Sequence, residues 1–188
     1  MPVVVYDANV LYPSTLRDVL IRVGLARLVR PKWTELILDE VFRSLRANRP
    51  DLDPARLART RGLMNDAIRD VMVTGHEYLV DQLDLPDRDD RHVLAAAIHA
   101  NAELIVTKNL RDFPSDRLAP WGVEARHPDD FLTRLHQEHP DALGGIIAAI
   151  ARARGRDTTP DDVLDHLAVE APATVALMRN ALGKADTV

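Results

Sequence analysis

The sequence predicts an α/β fold with a short parallel sheet, followed by a helical C-terminal extension. Two short, continuously apolar runs, "VVVY" at 3–6 and "ELIVT" at 103–107, read as strands buried on both faces. An alanine-rich helical pattern leads directly into the second run, which is the order of a βαβ unit and therefore of parallel strands. Beyond Pro140 the composition changes to Ala-rich helical segments. With 188 residues, 46% of them hydrophobic, the chain can bury a sizeable core as one domain with a helical appendage. Only 4% are aromatic, so that core must be built from Ala, Val, Leu and Ile.

After the first strand, Pro13, Ser14 and Thr15 supply a turn and a candidate N-cap. Leu16, Val19, Leu20, Val23 and Leu28 then recur at helical spacing until Pro31 stops the pattern. Thr34 caps a second helix, "ELILDEVFRSLRA", with an apolar face of Leu36, Ile37, Val41 and Leu45. Asp53-Pro54, an N-cap followed by proline at the first helical position, opens a third helix that runs to about Val71. A short helix is expected over His76–Leu83. Pro86 and a run of acids open the alanine-rich helix, and Asn101 closes it. Residues 121–124 are expected to form an outer strand, and "PDDFLTRLHQE" another helix. In the extension, "TTPDDVLDHL" is a second well-capped start, through Thr159, Pro160 and Asp161.

Several function classes drop out. Cysteine is absent, so neither a disulfide framework nor thiolate chemistry is possible. No apolar run is long enough to span a bilayer and no signal-type segment opens the chain, so the expectation is a soluble cytoplasmic protein with no membrane partner. The net charge of −5 argues against a generic nucleic-acid binder with a basic face. The exception is a carboxylate cluster that holds divalent cations and so reverses the local field.

The acids are arranged to do that. In an open parallel sheet, ligands bind beyond the carboxyl ends of the strands. Asp7 follows the first strand, Asn109 and Asp112 follow "ELIVT", and Asp90 opens the helix leading into it, with Asp87 and Asp89 just before. Glu40 lies on the second helix, off the stripe of Leu36 and Ile37. Each also has an ordinary structural role available: Asp7 as a turn cap, Glu40 as a solvated partner of Arg43, Asp112 as a turn residue. Those roles leave the convergence unexplained. Carboxylates buried together without cations would raise at least one pKa, and hard oxygen ligands suit Mg²⁺ or Mn²⁺. The histidines show no zinc spacing.

"YDANVLYPS", "ILDEV", "LPDRDDRHVLAAAI" and "LIVTKNLRDFP", in that order, resemble a PIN domain, and among PIN proteins the VapC-like toxins of bacterial toxin–antitoxin pairs. The resemblance covers residues 3 to about 133. It implies a three-layer α/β/α sandwich around the short parallel sheet, with a Mg²⁺- or Mn²⁺-binding acidic pocket that cuts RNA. The nuclease domain is then residues 1–137 and the helical extension residues 138–188. Carried over residue by residue, the catalytic acids are Asp7, Glu40, Asp90 and Asp112. Asp7 and Asp90 bind the metal, and Asn9, Asp87, Thr107 and Asn109 support them. The departure is at the fourth position, where the family often has an acid and this chain has Asn109, with Asp112 three residues further on.

The expected chemistry is water attack on the phosphodiester, leaving 5′-phosphate and 3′-hydroxyl ends. RNA is the expected substrate, an antitoxin the expected protein partner, and a homodimer a further possibility for the extension. Arg17, Lys32, Arg91, Lys108 and Arg111 lie near the motifs as candidate phosphate contacts. An aspartyl-phosphate hydrolase wants a second acid two residues after Asp7, where Asn9 stands. A PIN-like module that binds RNA or a partner without cutting draws its support from Asn109.

Overall fold

The computed structural model describes residues 1–185, with side chains to Ala181. Four parallel strands form one sheet in the order β2-β1-β3-β4: β1 Val3–Tyr6, β2 Arg30–Lys32, β3 Leu104–Val106 and β4 Glu124–Arg126. β1 and β3 are buried throughout, as their unbroken apolar runs require. After β1 the chain crosses to one side to make β2, then returns past β1 to make β3 on the other side. The direction therefore reverses between β1 and β3, the topological switch point where open α/β sheets place their ligands. Val4, Val5 and Tyr6 pair with Leu104, Ile105 and Val106, so Asp7 and Thr107 leave the sheet side by side.

Helices α1 Ala8–Leu11 and α2 Ser14–Leu25 connect β1 to β2. The connection to β3 runs through α3 Glu35–Asn48, α4 Pro54–Ala67, α5 Glu77–Val80 and α6 Arg91–His99. A 3₁₀ turn, Leu110–Asp112, and the short helix α7 Ser115–Leu118 precede β4. Four helices follow: α8 Pro128–Glu138, α9 Pro140–Arg154, α10 Pro160–Ala168 and α11 Pro172–Ala185. The result is the expected α/β/α arrangement with C-terminal helices, and one hydrophobic cluster runs unbroken from Val3 to Met178. Thr34 caps α3 and Asp53 caps α4 as expected, and Thr159 with Asp162 forms a full capping box on α10. Expected extension residues Ile146, Ile147, Ile150 and Ala171 are buried; the side chain of Leu182 lies outside the described residues.

Several expectations need correction. α2 stops at Leu25 because Arg27 turns left-handed at φ 57° and the Leu28 N–H returns to the Val23 carbonyl at 3.2 Å. Pro31 is not a helix stop but the middle of β2, and it crowds Gly24 of α2: a Cβ there would lie 2.6 Å from the proline Cγ. On α3, Leu36 is exposed while Leu38 and Phe42 join the buried face. α4 ends at Ala67 rather than Val71, because the chain after it runs beside Trp33: the Trp33 N–H donates to the Val71 carbonyl and the Val73 N–H to the Trp33 carbonyl. The outer strand is Glu124–Arg126, displaced by a 3₁₀ turn through Trp121 and by Gly122 at φ +67°. Asn101 closes α6 from the position after the cap, left-handed at φ 51°.

Candidate active site

Asp7 sits where β1 ends, and its backbone N–H still donates to the Val106 carbonyl of β3. Its side chain caps α1, accepting from the Ala8 N–H at 2.6 Å. The other carboxylate oxygen accepts from Asn9 Nδ2 at 2.6 Å and from Thr107 Oγ1 at 2.7 Å. Asn9 closes the set by donating to Thr107 Oγ1 and accepting from the Lys108 backbone N–H. Burial pushes the Asp7 carboxyl upward; the Thr107 and Ala8 hydrogen bonds oppose this, and nearby Glu40 adds to it. Asp7 is therefore both a helix cap and part of a charged cluster.

Asp90 occupies the N-cap position of α6 yet makes no capping hydrogen bond. Its Oδ2 is buried without a hydrogen-bond partner among the described residues. Asp87, Asp90 and Asp112 converge there, each offering a carboxylate oxygen within 4.8 Å of the others. The Asp90 carboxyl is pushed up to about 7, first by desolvation and then by the charges of Asp7, Asp87 and Asp112. Asp112 is held by Asn109, whose Nδ2 donates to its Oδ2. Asn109 is in turn fixed by its backbone N–H donating to Thr107 Oγ1 at 3.0 Å. The amide at the position where an acid was looked for thus orients the acid three residues on.

Glu40 does not pair with Arg43. Its Oε1 lies 2.9 Å from Nε2 of His92, a buried residue of α6 whose Nδ1 has no partner among the described residues. His92 was not singled out from the sequence: in "DRHVLAAAI" it sits on the buried stripe and reads as core. The structure gathers Asp87, Asp90 and Asp112 into the tight triad; Asp7 lies outside that set of atoms but close enough to raise Asp90, and Glu40 is close enough to raise Asp7.

The donor set fits a hard divalent cation. Carboxylate oxygens converge with no thiolate or imidazole among them, one is buried and unpartnered, and a bound cation would offset the repulsion that lifts Asp90. The candidate phosphate contacts divide. Arg17 donates to the Leu11 and Tyr12 carbonyls and Lys32 to the Asp70 carbonyl. Arg91 lies 3.9 Å from Asp84. Arg111 stays extended into solvent beside Asp112, and Lys108 borders a cleft next to the acids.

Comparison with known proteins fits this geometry. The family model described as "PIN domain" matches residues 3–111. A second, described as "VapC50 C-terminal domain", matches residues 128–180, the helices from α8 to α11. The chain is similar to "Putative ribonuclease VapC50" of Mycobacterium tuberculosis, with 42% identity over 91 residues. That alignment covers 48% of this chain and 54% of the relative, so the chain spans about half the length of the curated relative it matches. No solved structure matches.

Proposed function

This chain belongs to the PIN-domain family, and we propose that it is a metal-dependent endoribonuclease, the toxin of a toxin–antitoxin pair. One observation carries the nuclease reading: Asp90 sits uncapped at a helix start, one oxygen buried and unpartnered, in a carboxylate triad at the switch point beside Asp7. A purely structural acid at that position would cap α6. The toxin reading, with an antitoxin as protein partner, RNA as substrate and the cytoplasm as compartment, draws on the likeness to VapC-like proteins and on the printed name of the relative. No helix of the described residues is long and apolar enough to cross a membrane. We assign the chemistry to residues 1–137 and leave to residues 138–188 the covering of that domain and any self-association.

Mg²⁺ or Mn²⁺ would be held by Asp7 and Asp90, with Asp87 and Asp112 beside them. Such an ion supplies charge for the scissile phosphate and acidifies water enough to attack near neutral pH. The chain's own residues arrange the rest. Thr107 and Asn9 hold the Asp7 carboxylate in one rotamer, and Asn109 does the same for Asp112. Glu40, pinned by His92, accepts a hydrogen bond from the attacking water and orients it. Arg111 meets phosphate oxygens from the solvent side.

The test is Asp7→Asn. It should abolish Mn²⁺-dependent cleavage of single-stranded RNA while circular dichroism stays as in the wild type; cleavage that persists in the variant defeats the assignment. A non-cutting RNA-binding module is favoured by one feature, the amide at Asn109. RNA binding in EDTA with no metal-dependent cutting by the wild-type chain would establish that alternative.

A further inference from the structure

Beside the carboxylates opens a cleft of about 420 Å³ between α1 and α3. Its wall shares Asn9 and Glu40 with the acidic site and continues through Tyr12, Arg43, Ser44 and Asn48 to Lys108. The volume suits one small ligand rather than a duplex. The lining also suits a splayed-out nucleotide. Asn48 and Ser44 offer both donors and acceptors, and the Asn48 amide already lies 3.4 Å from the Tyr12 hydroxyl. Arg43 is exposed and pairs with no acid among the described residues.

Lys108 is different. Its backbone is tied to the site through Asn9, but its ammonium is taken by Glu170, from the turn between α10 and α11, at 2.9 Å. That acid comes from the C-terminal helices, not from the domain that carries the site. The pair is only partly exposed, 34% for the lysine side chain and 17% for the glutamate. A carboxylate on a cation that borders the cleft sits where a phosphate oxygen would bind.

Resting on the ribonuclease reading, we propose that this cleft seats the nucleotide flanking the scissile phosphate of a single-stranded RNA. Lys108 holds that nucleotide's phosphate by exchanging Glu170 for it. The C-terminal helices thus set the affinity of the site through one competing acid.

The test is fluorescence anisotropy of a short labelled single-stranded RNA with the full chain in EDTA, over a series of salt concentrations. Glu170→Gln frees the lysine and should tighten binding about fivefold. Lys108→Gln should weaken binding and reduce the slope of log K against log salt by about 0.7. In the Lys108→Gln background, Glu170→Gln should give no gain. A Glu170→Gln variant that binds no tighter, or a gain that survives without the lysine, overturns the proposal. Cleavage of the same RNA by the wild-type chain in Mn²⁺ reads the underlying function separately. Cutting that proceeds while both variants bind like the wild type removes this inference and leaves the nuclease standing.

Discussion

At the scale of single residues, the site depends on side chains that hold other side chains. Glu40 is one-third exposed and would sample several rotamers alone; the buried His92 on a different helix fixes it. Replacing His92 by Leu should lower cleavage by about 10–100-fold. His92→Gln, which restores a polar side chain at that position, should recover part of that loss. In a double-mutant cycle, His92→Leu added to Glu40→Gln should cost little beyond Glu40→Gln alone. Fully additive losses would show that His92 does not act through Glu40. This pair marks the limit of what one sequence discloses about the site. Asp7 and Asp90 are legible because each stands where a strand ends or a helix begins, positions with a chemical meaning of their own. The pairing of positions 40 and 92 follows only from how α3 and α6 face each other, and no spacing encodes it. Asn109 is a middle case: its departure from the acid is visible in the sequence, but its hold on Asp112 is not.

At the scale of elements, capping chemistry made several long helices readable, while of the two outer strands β2 escaped and β4 was placed too early in the chain. α3, α4 and α10 begin where Thr34, Asp53 and Thr159 stand, because each cap satisfies backbone donors that the helix cannot. β2 is three residues long, "RPK", with a proline and two cations, and β4 is "EAR". Short polar strands at sheet edges carry neither an apolar run nor an alternation to read. One cap is supplied from a distance. Asp129 of α8, buried, accepts from the Ala173 and Thr174 N–H groups at 2.9 and 2.8 Å and from the Thr174 hydroxyl. It thereby holds the start of α11 against the domain. Asp129→Ala leaves buried donors unpaired and should cost about 3 kcal/mol in urea unfolding. It should also open α11 to limited proteolysis before the rest of the chain. A variant as stable and as protease-resistant as the wild type would mean that the apolar contacts of Val175 and Met178 alone hold α11.

At the scale of the whole molecule, the acid cluster links stability to pH, and the proposed metal binding would act on the same carboxylates. In the unfolded chain Asp90 ionises at its ordinary value of 3.8, whereas in the folded chain it holds its proton up to about 7. Between those values the folded state binds more protons than the unfolded state. Asp90 therefore makes stability fall as pH rises through this window and level off above it. Asp7, also raised by burial, acts in the same direction. His76 acts in the opposite sense: burial lowers its pKa, so its contribution to stability is present above the ordinary histidine value and lost as pH falls. Comparing the wild type with Asp90→Asn removes these other groups from the measurement. In EDTA, the wild-type Tm minus that of Asp90→Asn should decrease from pH 5 to pH 8. A divalent cation held at the proposed site would bind the ionised carboxylates of the folded state and offset their repulsion, so Mn²⁺ should raise the wild-type Tm more at pH 8 than at pH 5. The Mn²⁺ increment should largely vanish in Asp90→Asn. If the Tm difference instead stayed flat across this range in EDTA, Asp90 would be an ordinary low-pKa surface acid. The convergence of β1, β3 and α6 on one cation site would then lose its energetic basis.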